Sequence, residues 1–318
     1  MPDFRDSRRA RRQRWFGLKK HIKGFLGLPG VHLLMRLVAP RLPQVRTGRL
    51  PAPCGLREVQ GVAAGAPYVL VDPRRCEIAK ELYWGEGRRP EPADALALDV
   101  AVTLAKQART FFDIGAYTGP FTMAATAANP ALVVHAFEIV PAVARGLARN
   151  IARNNVANQV QLHTVGVGEP GAAMHVPPGD GESALPSFYS ADMDFDDGIE
   201  VEFVAWDDFT DRVRGPVVAK IDVEGGEETA LRHAQRFLAA HQPDILCEVL
   251  TTADGAAIQA LLAPHGLRCY AVGETALHPR AEVVPHAAHR DWLFTPRTAQ
   301  ELRALGIPVA DAQPDEGT

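Results

Sequence analysis

The chain has 318 residues, 47% of them hydrophobic, and a formal net charge of −4 at pH 7. This suits one large globular domain with extensions, or two small domains, and allows a sizeable core. No apolar run approaches the roughly 20 residues that span a bilayer.

Residues 1–46 carry twelve Lys and Arg against Asp3 and Asp6, a local charge of +10 that leaves −14 on the remainder. A basic end beside an acidic body suggests an interaction arm. Within residues 1–24 the cations interleave with Trp15, Phe16, Leu18 and Ile22, and Phe25 and Leu26 follow. A helix there would suit an anionic membrane surface; the plain alternative is a solvated tail. Binding to nucleic acid is disfavoured, because the acidic remainder repels phosphates. Phe25 to Met35 imitates a signal-peptide core, but Pro29 and His32 interrupt it and no clean cleavage site follows. Cys54, Cys76, Cys247 and Cys269 form no C-x-x-C pair. The expected location is therefore cytoplasmic, with membrane association through the arm left open.

Pro-rich residues 39–55 read as a linker, so residues 1–53 form an arm and linker. A lead-in of residues 54–91 follows, then a main domain over 92–297 and a tail over 298–318 that starts as a short helix. In the lead-in, Val59–Asp72 reads as a hairpin with Gly61, Gly65 and Pro67 in or near its turns. Pro92–Lys106 reads as a helix. Strands are then expected at Phe111–Ile114, Leu132–Glu138, Val160–Val165, Val217–Asp222, Ile245–Val249 and Leu267–Val272, with a last apolar run at Trp292–Phe294. Helices are expected at Phe121–Ala128, Pro141–Asn154, Glu227–Ala240 and Ala253–Ala263. This alternation argues for an α/β fold, a mostly parallel sheet with helices on both faces. Residues 177–200, rich in Pro, Gly, Ser and acids, read as a long loop beside the ligand edge. Within it Asp192–Gly198 superficially resembles a calcium loop, but the required glycine and the twelfth-position acid are missing.

Ligands in such sheets bind outside the carboxyl ends of the strands. Four acids occupy or follow those ends: Asp113, Glu138, Asp222 and Glu248. The run Thr110–Gly119 reads as a buried strand feeding a glycine turn and a helix that begins near Thr118. Glu138 ends the next strand about 25 residues after Asp113, where a carboxylate can accept both hydroxyls of a ribose. Gly115-Ala-Tyr-Thr-Gly119 lacks the central glycine of a pyrophosphate-binding G-x-G-x-x-G, and Asp113 is awkward beside a phosphate. S-adenosylmethionine, which has an ammonium, a sulfonium and a ribose but no phosphate, fits better than NAD.

Asp113-Ile-Gly-Ala-Tyr-Thr-Gly119, Ala136-Phe-Glu-Ile-Val-Pro141, Leu147–Asn154, Lys220-Ile-Asp-Val-Glu-Gly225, Pro243–Glu248 and Leu293-Phe294 resemble the FkbM family of S-adenosylmethionine-dependent methyltransferases. The resemblance spans about residues 80–296. It implies a Rossmann-like seven-stranded methyltransferase sheet, mostly parallel with the last strand antiparallel, here with an N-terminal extension. It also implies O-methylation of a hydroxyl on a sugar, glycan or natural product. By position, Asp113, Gly115, Ala116, Tyr117 and Gly119 would hold the methionine end of the cofactor and Glu138 its ribose. Gly166-Val167-Gly168 would lie near the adenine and Asp222 near the methyl. Tyr117 stands where the family usually has Asn. Asp222 and Glu224 are the candidate bases, Glu224 being preferred because the cofactor would occupy Asp222. A divalent metal held by these acids is the alternative way to activate the hydroxyl. Glu227 and Glu228 are explained by the helix dipole alone, and His286 and His289 read as loop residues. Tyr83 and Glu91 are possible contacts for the acceptor. An NAD-linked oxidoreductase and a non-catalytic nucleoside-binding relative that docks through its arm are the competing readings.

Overall fold

The computed structural model describes residues 28–38, 50–177, 198–287 and 289–311. The chain starts with helix α1 (Pro29–Val38) and the hairpin β1 (Glu58–Ala63) and β2 (Ala66–Val71), followed by α2 (Glu77–Trp84) and α3 (Pro92–Ala105). Then come β3 (Thr110–Ile114), α4 (Pro120–Ala128), β4 (Val133–Phe137), α5 (Pro141–Arg153) and β5 (Val160–His163). Three short strands follow: β6 (Gly166–Val167), β7 (Ala173–Val176) and β8 (Ile199–Val204). The second half holds β9 (Val217–Ile221), α6 (Glu227–Arg232), α7 (Gln235–His241), β10 (Asp244–Glu248) and α8 (Gly255–Leu262). It closes with β11 (Arg268–Val272), β12 (Leu277–Arg280), β13 (Asp291–Thr295) and α9 (Ala299–Ala304).

The main sheet runs β12-β11-β13-β10-β9-β3-β4-β5. Strands β10, β9, β3, β4 and β5 are mutually parallel, and β13 enters between β10 and β11 antiparallel to both. The last strand is thus antiparallel, as the family pattern implies. Among the described residues the main sheet has eight strands rather than seven, because β12 turns back along β11 as an added edge.

Strands β3, β9 and β10 are buried along their whole length, which is why they read as unbroken apolar runs. Alternate residues feed two cores. Phe111, Val218, Leu246 and Leu293 face the layer of the hairpin, α2, α3, α4 and α5. Phe112, Ala219, Cys247 and Trp292 face α6, α7, α8 and the 3-10 turn at Trp206–Phe209. This two-residue period decides where the polar residues within the strands point.

The hairpin turns at Ala64 and Gly65, both left-handed (φ 45° and 81°). Gly61 and Pro67, expected near turns, lie inside the strands. Gly61 is needed there because a Cβ would meet the Tyr68 ring at 2.5 Å. The hairpin packs on α4 and α5. Buried Asn150 ties it down: its Oδ1 accepts from Val71 N at 2.7 Å and its Nδ2 donates to Thr118 O at 2.7 Å. Asn150→Ala would leave a buried donor and a buried acceptor unmatched. A loss of about 2–3 kcal/mol is expected, read as a fall in melting temperature.

The expected helix Glu227–Ala240 is two helices, since the backbone leaves helical geometry at His233 and Ala234. The region after β5 carries a three-stranded sheet, β6-β8-β7. The tail helix α9 has a capping box of Thr298 and Glu301, and Ile307 and Val309 beyond it are buried against the domain. Most of the basic arm and linker lies outside the described residues. So do residues 178–197, which include nearly all of the acidic loop and its calcium-like stretch.

Candidate active site

A cleft of about 620 Å³ opens at the carboxyl ends of β3, β4, β9 and β10. That volume is in the usual range for a small-molecule site, about 300–1,000 Å³. One end is lined by Gly115, Ala116, Tyr117, Glu138, Ile139, Val167 and Phe203. The other is lined by Glu81, Arg89, Asp94, Lys220, Asp222, Glu224, Glu248, Arg290 and Asp291.

The glycine turn is built by packing as much as by ligand access. Gly115 has φ 82°, and a Cβ there would sit 1.7 Å from the Asp222 carbonyl oxygen. The N–H groups of Gly115 and Ala116 both donate to Phe137 O, at 3.1 and 2.8 Å. These two donors are spent on the neighbouring strand and are not offered to a phosphate. Helix α4 starts at Pro120, two residues past Thr118, with Gly119 (φ 83°) as its N-cap. Thr118 Oγ1 instead bonds Cys76 Sγ at 3.0 Å.

Asp113 is not part of the cleft wall. By the strand period it shares a face with Phe111, under α4, and is buried. Its Oδ2 accepts from Thr122 N at 3.0 Å and from Thr122 Oγ1. Burial pushes its carboxyl up to about 6, against these bonds and Lys220. Asp113 thus neutralises the start of α4 and anchors the turn from behind; Gly119 likewise lies behind the wall, its Cβ position filled by Leu147.

Glu138 is different. It is buried at the end of β4 and lines the cleft, with Oε1 accepting from Val140 N at 2.8 Å. Burial pushes this carboxyl up to about 8. Phe203 closes the same end: Cβ atoms on Gly166 or Gly168 would meet its ring at 2.4 and 3.1 Å, so both glycines make room for it. In the sequence Phe203 was one apolar position in an alternating run, without a signal for a ligand.

Tyr117 adopts the left-handed conformation, φ 52°. Asn tolerates this region and a tyrosine does not, at a cost of about 1–2 kcal/mol. The family's Asn and this chain's Tyr therefore share one strained backbone position. The Tyr117 hydroxyl accepts from Glu77 N at 3.3 Å, tying the turn to α2.

At the opposite end, Lys220, Glu248 and Asp291 project from β9, β10 and β13 on the same face as Val218, Leu246 and Leu293. Lys220 is buried, with Nζ 2.9 Å from Asp291 Oδ1, 3.5 Å from Asp222 Oδ2 and 5.6 Å from the centre of the Phe121 ring. Burial alone would favour the neutral amine, but Asp291, Asp222 and Glu248 outweigh it and raise the pKa above the ordinary lysine value. Burial, reinforced by Asp222, pushes Glu248 up to about 9 despite Lys220 and Arg290. Arg290 pairs with Glu248 at 3.1 Å, and Arg89 bridges Glu81 at 2.9 Å and Asp94 at 2.6 Å.

The loop after β9 carries both candidate bases. Glu227, expected to serve only the helix dipole, folds back under it: its carboxylate accepts from Val223 N at 3.0 Å and from Gly225 N at 3.1 Å. This holds Glu224 in a left-handed conformation (φ 55°) at the cleft wall. Such strain, enforced by surrounding bonds, is typical of functional positions. Glu224 is half-buried, and burial, with Asp222 and Glu227 nearby, raises its pKa. Tyr83 and Glu91 do not line the cleft: Tyr83 packs on His32 and Trp84, and Glu91 is exposed at the N-cap position of α3 without a side-chain capping bond. His286 and His289 sit in the loop before β13. Among the described residues no group of three or more His, Cys, Asp and Glu could hold a metal ion.

A family model described as the methyltransferase FkbM domain matches residues 113–293, more than half of the chain. The chain belongs to this family. The match begins at Asp113 and ends within β13, so it covers the strand ends that form the cleft. No curated protein matches this FkbM-family chain. Among solved structures, it is similar to the methyltransferase FkbM from Methylobacillus flagellatus KT, with TM-score 0.40 and 18% identity over 59% of this chain and 44% of that one. A second is precorrin-6y C5,15-methyltransferase from Geobacter metallireducens GS-15, with TM-score 0.35 and 17% identity over 62% and 86% of the two chains. A third is the O-methyltransferase TomG from Streptomyces achromogenes in complex with SAM, with TM-score 0.36 and 12% identity over 65% and 78%. The family assignment rests on the sequence match, not on these likenesses. Less than half of the Methylobacillus chain is spanned.

Proposed function

We propose that this FkbM-family methyltransferase uses S-adenosylmethionine to methylate a hydroxyl of an uncharged, polyhydroxylated acceptor such as a sugar, glycan or natural product. The observation that carries the cofactor is Glu138, a buried carboxylate aimed into the cleft where a ribose can satisfy it. The glycine turn supports a phosphate-free ligand, because two of its N–H groups are committed to Phe137, and Asp113 takes the Thr122 N–H. In this reading Glu138 holds the ribose, Val167 and Phe203 flank the adenine, and Gly115, Ala116 and Tyr117 receive the methionine end. When bound, the cofactor supplies an electrophilic methyl group on a sulfonium.

The chain's own residues orient the acceptor and take its proton. Seven acids line the acceptor end (Glu77, Glu81, Asp94, Asp222, Glu224, Glu248, Asp291) against Arg89, Lys220 and Arg290. Arg89 and Lys220 are already ion-paired, and Arg290 lies 3.1 Å from Glu248. An anionic acceptor would be repelled there, whereas hydroxyls can donate to the carboxylates. Glu224 has its pKa raised and lies at the cleft wall, which suits a general base. Asp222 is held by Lys220 and serves as a fixed negative charge close to the reacting atoms. With no metal donor set among the described residues, no metal step is assigned.

The test uses cofactor labelled in its methyl group and a fractionated cell extract. Label is expected in a neutral, hydroxyl-rich fraction as an alkali-stable methyl ether. Label released by mild alkali as an ester, or recovered on nitrogen, would overturn O-methylation of a hydroxyl. Cofactor binding without transfer to any fraction would favour the non-catalytic reading.

A further inference from the structure

Helix α1 presents an exposed apolar face among the described residues. Leu33, Leu34, Leu37 and Val38 are 64%, 62%, 54% and 46% exposed, and Leu28 just before the helix is 47% exposed. At 3.6 residues per turn the four helix positions fall within an arc of about 140°. His32 lies on the opposite side and is buried. Its Nε2 lies 2.9 Å from the Tyr83 hydroxyl, and its ring packs 5.4 Å from Tyr83 and 5.2 Å from Trp84. Arg36 adds a cation over the Tyr83 ring at 5.5 Å. The helix is therefore fastened to α2 by one side, with its leucines turned outward. Scattered exposed leucines need no explanation, but a contiguous ridge on one helix marks a docking surface.

Charge selects the occupant. Residues 1–46, which contain α1, carry twelve Lys and Arg against two acids, and the rest of the chain has a net charge of −14. A second copy would bring +10 against +10 and is disfavoured. An anionic bilayer matches both parts: it attracts this segment, repels the acidic body and takes up the leucines. We propose that the Leu33–Leu34–Leu37–Val38 face of α1 seats this enzyme on an anionic lipid surface. The same charge division orients the molecule, with α1 toward the lipid and the acidic body away from it. Because α2 carries Ile78 and Glu81 into the cleft, the acceptor end is the end fastened to α1.

The full chain is tested by co-sedimentation with vesicles of phosphatidylcholine, with and without phosphatidylglycerol. Binding is expected with the anionic vesicles, weakened by salt, and little binding is expected with phosphatidylcholine alone. Leu33→Gln with Leu34→Gln should cut the partition coefficient about tenfold or more, since both lost side chains are apolar anchors. The melting temperature should stay unchanged, because both side chains are exposed. The proposal is overturned if the full chain binds neither vesicle, or if the double variant binds as well as the parent. Concentration-dependent dimerisation without vesicles, abolished by the same pair, would assign the face to a second copy and overturn it as well.

Discussion

Glu138→Ala is expected to remove S-adenosylmethionine binding. The carboxylate would accept two ribose hydroxyls, each a charge-assisted bond worth about 1.5–3 kcal/mol, so affinity should fall by about 10² to 10⁴-fold. The pH dependence gives a second and sharper readout. Burial pushes Glu138 up to about 8 from the ordinary 4.5. Hydroxyl donors bind the ionised form, so affinity should rise as pH approaches 8, by up to about tenfold per unit. Glu138→Gln should be weak and flat across that range. Stability runs the other way in the ligand-free chain. Between pH 4.5 and about 8 the unfolded state has released a proton that the folded state keeps. Folding therefore loses ground as pH rises through that window, and Glu138→Gln escapes the loss. A Gln variant that melts higher than the parent at neutral pH, yet binds cofactor poorly, is the expected pair of results. Isothermal titration and thermal melts read both; full affinity in the Ala variant would sink the ribose assignment.

Glu224→Gln is expected to leave cofactor affinity intact and to lower turnover by about 10² to 10⁴-fold, the usual span for a general base. Its carboxyl is raised by burial, Asp222 and Glu227, so the parent rate should climb with pH as Glu224 ionises. That acidic limb should vanish in the variant. Asp222→Asn should give a different pattern, because Lys220 would lose one of its two close partners and, in the proposed reading, a charge near the methyl would disappear. Asp222→Asn is therefore expected to disturb cofactor binding and turnover together. Unchanged turnover in Glu224→Gln, with the limb preserved, would transfer the role of base to another acid.

The central strands were legible in the sequence because β3, β9 and β10 are buried on both faces and so read as apolar runs. The glycine turn and Glu138 were legible for the same reason, since they interrupt those runs at the strand ends. What one strand shows alone is the position of an acid, not its direction. Asp113 and Glu138 look alike in the chain, but Asp113 points under α4 while Glu138 faces the cleft. Lys220 is legible in the sequence as the first residue of the Lys220–Gly225 element, but its partner Asp291, 71 residues away, is not. The small sheet β6-β8-β7 escaped because its strands are short and its pairing crosses a long insertion. Glu227 was seen as a dipole partner, which is a property of any acid at that position; that it clasps Val223 and Gly225 is a matter of side-chain direction.

Tyr117 is a member of both halves of the cleft. Its backbone belongs to the glycine turn, while its hydroxyl holds the first turn of α2, whose Glu81 also lines the cleft. In the proposed reading, with a donor and an acceptor in the two halves, a shared member of this kind would make the two ligands partners in one equilibrium. Whatever factor the first ligand imposes on the second through α2, the second must impose on the first in equal measure. Order of addition would then be a kinetic preference laid over a reciprocal balance, set by a tyrosine kept where an asparagine would rest more easily.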